Sequence, residues 1–415
     1  MSKLSELINK LCPNGVEYKK LGEIVEINKG EQLNKQMLLE SGNYPVINGG
    51  VNPSGYWDKY NKEANLITIS QGGASAGYVN WQRTRFWAGA HCFVLENPSD
   101  FILYRYLYFV VKKNESVLMG SQIGAGIPSL SAKTVSDLSI PLPPLEIQRE
   151  VVEILDKFAQ LTAELTAELE KRKKQYEHYR DKLLEFNDEV DWCELGDEAD
   201  VTKLAGFEFT KYVKYQDAGS IIALRGLNVK HGHLVLDDVK YIDGSDLSML
   251  TRSKLKIGDL MFTYVGTVGQ VALVDKDDKY YLAPNVARIR FYGKRVLPEF
   301  MKYYFQGSQF FDVEMKKRMG SSSMDNLTMG NIRKFKIPLP SLAEQERIVA
   351  ILDRFDSLCN SLTEGLPAEI ALRKKQYEYY RDKLLSFGRT SSSSSSSNSS
   401  SSSLEPLEQL EPLEH

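Results

Sequence analysis

Residues 172–186 read RKKQYEHYRDKLLEF and residues 373–387 read RKKQYEYYRDKLLSF, with thirteen identities in fifteen positions. A second pair precedes the first: IPLPPLEIQREVVEILDKF at 140–158 and IPLPSLAEQERIVAILDRF at 337–355 agree at eleven of nineteen. A weaker pair opens the halves, VEYKKLGE from Val16 and VDWCELGD from Val190. One plan, a globular segment followed by a helix, is therefore used twice. Such a repeat constrains architecture more tightly than local propensity does.

In the first helical stretch, apolar or helix-compatible residues recur at steps near four and three: Ile154, Phe158, Leu161, Leu165, Leu169, Arg172, Tyr176, Tyr179, Leu183 and Phe186. This spacing predicts a coiled-coil seam rather than the wider stripe of a helix lying on a core. Without Gly or Pro, such a helix runs about 60 Å at 1.5 Å per residue. Pro141, Pro143 and Pro144 fix its start, since proline suits the first turn and excludes a preceding helix. The second stretch follows Pro338 and Pro340 and carries one extra turn between its matched blocks, with Gly365 and Pro367 inside the insert. A kink or a short break is expected near Gly365.

The first helix also holds a microrepeat, LTAELTAE at 161–168. Each four-residue unit adds about 6 Å and about 40° of rotation, so gain or loss of a unit changes separation and phase together. Slippage in a helix-friendly stretch is the plainer origin. Paired antiparallel, the two helices would give one chain approximate twofold symmetry, which suits duplex DNA.

At 415 residues and 42% apolar content, the chain can bury two cores of roughly 100 to 150 residues. Cys12, Cys92, Cys193 and Cys359 form no CxxC pair, which argues against a zinc ribbon or disulfide framework and for a reducing cytoplasm. Neither a leader-like apolar run nor a membrane span is evident. The net charge is −3, yet Lys and Arg exceed Asp and Glu by eight over residues 201–337 and by one over 16–140. The basic excess of the second segment is a candidate phosphate-facing surface.

Both globular segments mix β-rich runs, such as ANLITISQGG and DLMFTYVGTVGQVALV, with an aromatic helical stretch near their close, FILYRYLYFVVKK and PEFMKYYFQGSQFF. Each is expected to be an α/β domain with a curved mixed sheet. There is no GxxxxGK[ST] loop and no NPP-aromatic motif, so nucleotide hydrolysis and amino-methyl transfer lack their signatures. QGGASAG and VGTVG sit in strand-rich runs with no following helix pattern, and they read as turns or bulges rather than cofactor loops. His231 and His233 have no cysteine partner nearby, and no metal site is assigned. The residues describe a binding protein without catalytic or metal residues of its own.

The set IPLPPLEIQREVVEILDKF, LTAELTAEL and the two RKKQYE-YRDKLL blocks resembles the specificity (S) subunit of type I restriction-modification systems, and the match runs nearly to Phe387. The resemblance implies two α/β target recognition domains alternating with two helices that pair as an antiparallel coiled coil. Residues 1–140 and 188–337 would be the recognition domains, and 141–187 and 338–388 the spacer helices. A Ser-rich tail at 389–415, natural or an expression scar, would be disordered. Each domain would read one half of a gapped double-stranded DNA target, with the helices as ruler. Catalysis would belong to partners: two modification subunits that bind S-adenosylmethionine, and possibly restriction subunits that use ATP and Mg. A self-sufficient modification enzyme and a coiled-coil scaffold are the other readings; the missing methyltransferase motifs disfavour the first, and the two dissimilar globular segments disfavour the second.

Base edges call for Arg, Gln, Asn, Ser or Thr on loops. The candidates are Gln71, Ser75, Arg83 and Arg85 in the first domain, and Tyr264, Thr267, Gln270, Arg318, Ser321 and Asn326 in the second. Tyr176, Tyr179, Leu183, Tyr377, Tyr380 and Leu384 are candidates for packing inside the coil or against modification subunits.

Overall fold

The computed structural model describes residues 3–123, 128–319, 327–360 and 365–390. It divides into two units, one of residues up to Glu164 with those from Ala371 onward, the other Leu165–Ile370. Each unit holds one globular domain and parts of both long helices. The first helix is continuous from Leu145 to Leu183, and the second is described as Leu342–Asn360 and Gly365–Leu384. Gly365, the expected place of a kink, has φ of +74°, and a Cβ there would stand 2.6 Å from the Ser357 carbonyl oxygen. Only glycine enters this left-handed, closely approached position without strain.

The two domains share one topology. In the first, strands Glu26–Lys29, Cys92–Glu96, Leu66–Ser70 and Val79–Gln82 form an antiparallel four-stranded sheet in that order. Gly55–Trp57, Tyr44–Ile47 and Trp87–Ala88 form a three-stranded sheet whose second pair is parallel. In the second, Ala199–Lys203, Val286–Phe291, Leu260–Thr263 and Val271–Leu273 repeat the former sheet, and Lys240–Tyr241, Ile222–Leu224 and Tyr280–Leu282 repeat the latter. The mixed character thus resides in the small sheet alone. A hairpin, Val229–Lys230 with His233–Leu234, is extra to the second domain.

Strand alternation explains how each large sheet is covered on both faces. Ile67 and Ile69 join the core beside Tyr106 and Phe109 of the helix Tyr104–Lys113, while Val94 and Cys92 pack with Ile47 and Phe86 toward the small sheet. Likewise Leu260 and Phe262 face Phe300, Phe305 and Phe310, while Met261 faces Ile222 and Leu224.

One buried glutamine docks each long helix on its domain. Gln148 accepts from Leu103 N at 2.8 Å and donates to Phe101 O at 3.0 Å and Pro143 O at 2.8 Å. Gln345 accepts from Leu297 N at 2.9 Å and donates to Arg295 O at 2.8 Å and Pro340 O at 2.9 Å. Both side chains are fully buried, so this complete set of partners is what makes a polar side chain tolerable there.

Helix pairing is antiparallel within the second unit, where Tyr179 stacks on Phe355 at 5.9 Å and 26°, and Cys359 lies near Lys173. The equivalent stack in the first unit is Phe158 on Tyr380, at 5.4 Å and 25°. The expected seam holds at Phe158, Leu169, Tyr176 and Tyr179 and departs from its phase at Leu161 and toward the helix ends. Leu155 and Leu184 are buried, whereas Leu161 is exposed. The reason is that Ile147, Val151 and Leu155 pack into the domain core, so the helix end follows the domain rather than a partner helix. The first strand of the domain also meets the end of the second helix: Val16 N donates to Gly388 O at 2.8 Å.

Candidate nucleic-acid interface

Gln71 and Tyr264 occupy the same position in the two repeats. Gln71 N donates to His91 O at 2.9 Å and Leu130 N to Gln71 O at 2.7 Å; Tyr264 N donates to Asn285 O at 3.1 Å and Leu327 N to Tyr264 O at 2.9 Å. The glycines behind them are fixed alike, Gly77 N on Ser70 O at 2.8 Å and Gly269 N on Thr263 O at 2.9 Å, with φ of +95° and +89°. QGGASAG and VGTVG are thus equivalent loops between neighbouring strands, as their setting predicts. Beside each loop lies the residue that follows the central strand of the small sheet, Asn48 or Arg225. The residue before the next strand of the large sheet, His91 or Asn285, completes the rim.

Different side chains on this common frame give the two rims different shapes. In the second domain a cleft of about 860 Å³ is lined by residues including Arg225, Lys230, His231, Thr267, Gln270 and Asn285. The corresponding place in the first domain holds about 80 Å³, lined by Asn48, Ser70, Tyr78 and Gln82 among others. The extra hairpin supplies Lys230 and His231, which accounts for part of the difference.

Gln71 and Ser75 fall on the first loop, and Thr267 and Gln270 on the second. Tyr264 is buried with Lys203 Nζ 5.5 Å above its ring, and burial pushes its hydroxyl up, so it stays protonated at neutral pH. Arg83 and Arg85 lie at the far end of Val79–Gln82 from Ser75, and Arg85 is engaged by Glu63 at 2.8 Å and by the Tyr60 ring. Arg318 is committed to Glu314 and to Lys334 O at 2.7 Å. Ser321 and Asn326 lie outside the described residues.

The basic excess of the second domain is partly spent internally, because Arg288 pairs with Asp200 and Arg290 with the buried Asp259. Arg225 is likewise paired, with Asp238, while Lys230 lines the cleft. Aligning the two halves strand by strand, rather than only at their matched helices, is the signal that would have found Asn48, His91, Arg225 and Asn285.

Among the coil candidates, Tyr176 and Leu384 are buried, Leu183, Tyr377 and Tyr380 pack partly against their domain cores, and Tyr179 is 47% exposed despite its stack. Among the described residues no cluster of His, Cys, Asp and Glu could hold a metal, and no helix is long and apolar enough to cross a membrane.

A family model, the type I restriction modification DNA specificity domain, matches residues 13–172 and again 188–372. The chain is 32% identical over 389 residues to a putative type I restriction enzyme specificity subunit of Haemophilus influenzae, covering 90% of this chain and 96% of that one. It is 38% identical over 265 residues to a type I restriction enzyme specificity subunit of Escherichia coli, covering 61% of this chain and 64% of that one. The crystal structure of a type I S subunit from M. genitalium matches at a TM-score of 0.52 and 18% identity, over 89% of this chain and 95% of that one. The family model falls twice, once on each half of the duplication, and the chain belongs to the type I restriction-modification DNA specificity family.

Proposed function

We propose that this chain is the DNA-specificity subunit of a type I restriction-modification complex and is not itself catalytic. Each domain reads one half of a gapped double-stranded target, and the helices set the gap. The observation that carries this reading is the pair of equivalent rims, alike in the backbone hydrogen bonds that fix their loops and different in side chains. A shared frame with divergent lining is what two related readers of unlike half-sites require.

The helical blocks supply the docking sites for two copies of one modification subunit. Lys174 and Glu177 are exposed, as are their counterparts Lys375 and Glu378. Packing does not demand identity at solvated positions, so a common ligand of both copies accounts for it. Two equal sites on one chain take two equal partners. S-adenosylmethionine, with ATP and Mg where a restriction subunit is present, belongs to those partners. The four unpaired cysteines fit a cytoplasmic setting.

Single-molecule methylome sequencing of a host expressing the modification subunit, with and without this chain, tests the reading. A gapped adenine-methylated motif is expected only when both are present. Unchanged methylation despite confirmed assembly would refute it.

A further inference from the structure

The cleft of the second domain is lined by several polar side chains, of which Arg225, Thr263 and Gln270 are held by hydrogen bonds within the protein. Arg225 Nη2 donates to both the carbonyl and the carboxylate of Asp238 at 2.8 Å. Gln270 Oε1 accepts from His231 N at 3.1 Å. Lys230, His231, Thr267 and Asn285 make no side-chain hydrogen bond among the described residues, and of these Asn285, exposed on the cleft, is the one whose side chain is a carboxamide with both a donor and an acceptor. Its backbone is firmly held, with the carbonyl accepting from Tyr264 N and the strand Val286–Phe291 beginning at the next residue. Its φ is +72°, in the left-handed region. Asparagine is one of the few non-glycine residues that adopt this conformation readily, so the position is held without strain. The result is a rigidly mounted amide with a free donor and a free acceptor.

From this geometry we infer that Asn285 is a specificity-determining residue of the second domain and that it recognises an adenine in the major groove, an inference that rests on the DNA-recognition reading above. A carboxamide matches the N7 acceptor and N6 donor of adenine, whereas guanine presents two acceptors there and cytosine a donor. The first domain carries His91 at the equivalent place, its carbonyl accepting from Gln71 N as that of Asn285 accepts from Tyr264 N, so a different side chain faces the other half-site.

The test is the methylated motif produced by full-length variants co-expressed with the modification subunit. Asn285→Gly removes the amide while easing the backbone, so the fold is retained. One position of the second half-site is expected to lose its adenine preference by about tenfold or more, with the first half-site and the gap unchanged. Asn285→Asp keeps the shape and tolerates the left-handed backbone but only accepts, and the same position is expected to shift toward cytosine. A wild-type motif from both variants would overturn the inference and leave the recognition reading standing. So would an equal loss at all sites without any change of motif. A wild-type chain that directs no gapped motif would overturn both.

Discussion

Replacing Gln148 by glutamate alters a few atoms and removes two hydrogen bonds. One carboxylate oxygen can still accept from Leu103 N, but the other would face Phe101 O and Pro143 O, which now receive donors at 3.0 and 2.8 Å. Each buried group left unpaired costs about 1–3 kcal/mol, and the new charge adds desolvation. About 3–5 kcal/mol is therefore expected at neutral pH. For a unit of this size that corresponds to a fall in Tm of roughly 6–20 °C by calorimetry of the full chain. Protonation restores one donor, so the acid form is favoured in the folded state and the pKa of the introduced carboxyl lies above its unfolded value. The penalty is then smallest below about pH 4 and grows as pH rises through the folded pKa. Gln345→Glu should cost the same within about 1 kcal/mol, because its three bonds are the counterparts of those of Gln148. A loss under about 0.5 kcal/mol in either variant, or a pH-independent loss, would refute the account of these glutamines as the docking points of the helices.

Deleting residues 162–165 removes one unit of the LTAELTAE repeat. The lost ~6 Å and ~40° should shorten the methylated gap by about one to two base pairs with both half-sites kept; an unchanged gap would exclude the helix as ruler. Lys174→Glu or Lys375→Glu alone should reduce the bound modification subunits from two to one, and the double variant to none, by native mass spectrometry. Retention of two in the double variant would remove this face from the interface. The Asp243 carboxylate accepts from the Ser220 hydroxyl and from the amides of Ser220 and Ile221, which hold its pKa down at about 2. Its contribution is complete above the ordinary carboxylate value and fades as pH falls from about 4 toward 2. Acid titration of wild type against Asp243→Asn should show the two stability curves converging in that window.

Duplication makes the architecture legible in the residues themselves, because matched helices and matched openings bracket two segments whatever those segments contain. The strands and the two glycine loops are readable too, from alternation and from the absence of a following helix pattern. The seam is harder: a helix whose first turns lie on a domain core buries Ile147, Val151 and Leu155, and its phase cannot be taken from a two-helix heptad alone. The rim residues Asn48, Arg225 and Asn285 are not legible in this way. They are adjacent only because a parallel pair in the small sheet and an antiparallel sheet bring distant strand ends together. For Tyr264 and Arg318 residue type suggests contact with DNA, but the burial of the one and the internal partners of the other are not legible in the sequence either.

The most direct test of the central claim exchanges a domain. Residues 190–336 would be replaced by a second copy of 16–139, with both junctions at the start of segments that match between halves, and the methylome determined with the same modification subunit. The account predicts a symmetric motif in which the first half-site appears twice, as an inverted repeat about a gap. A folded, partner-bound chimera that still directs the original asymmetric motif, or no gapped motif at all, would contradict it.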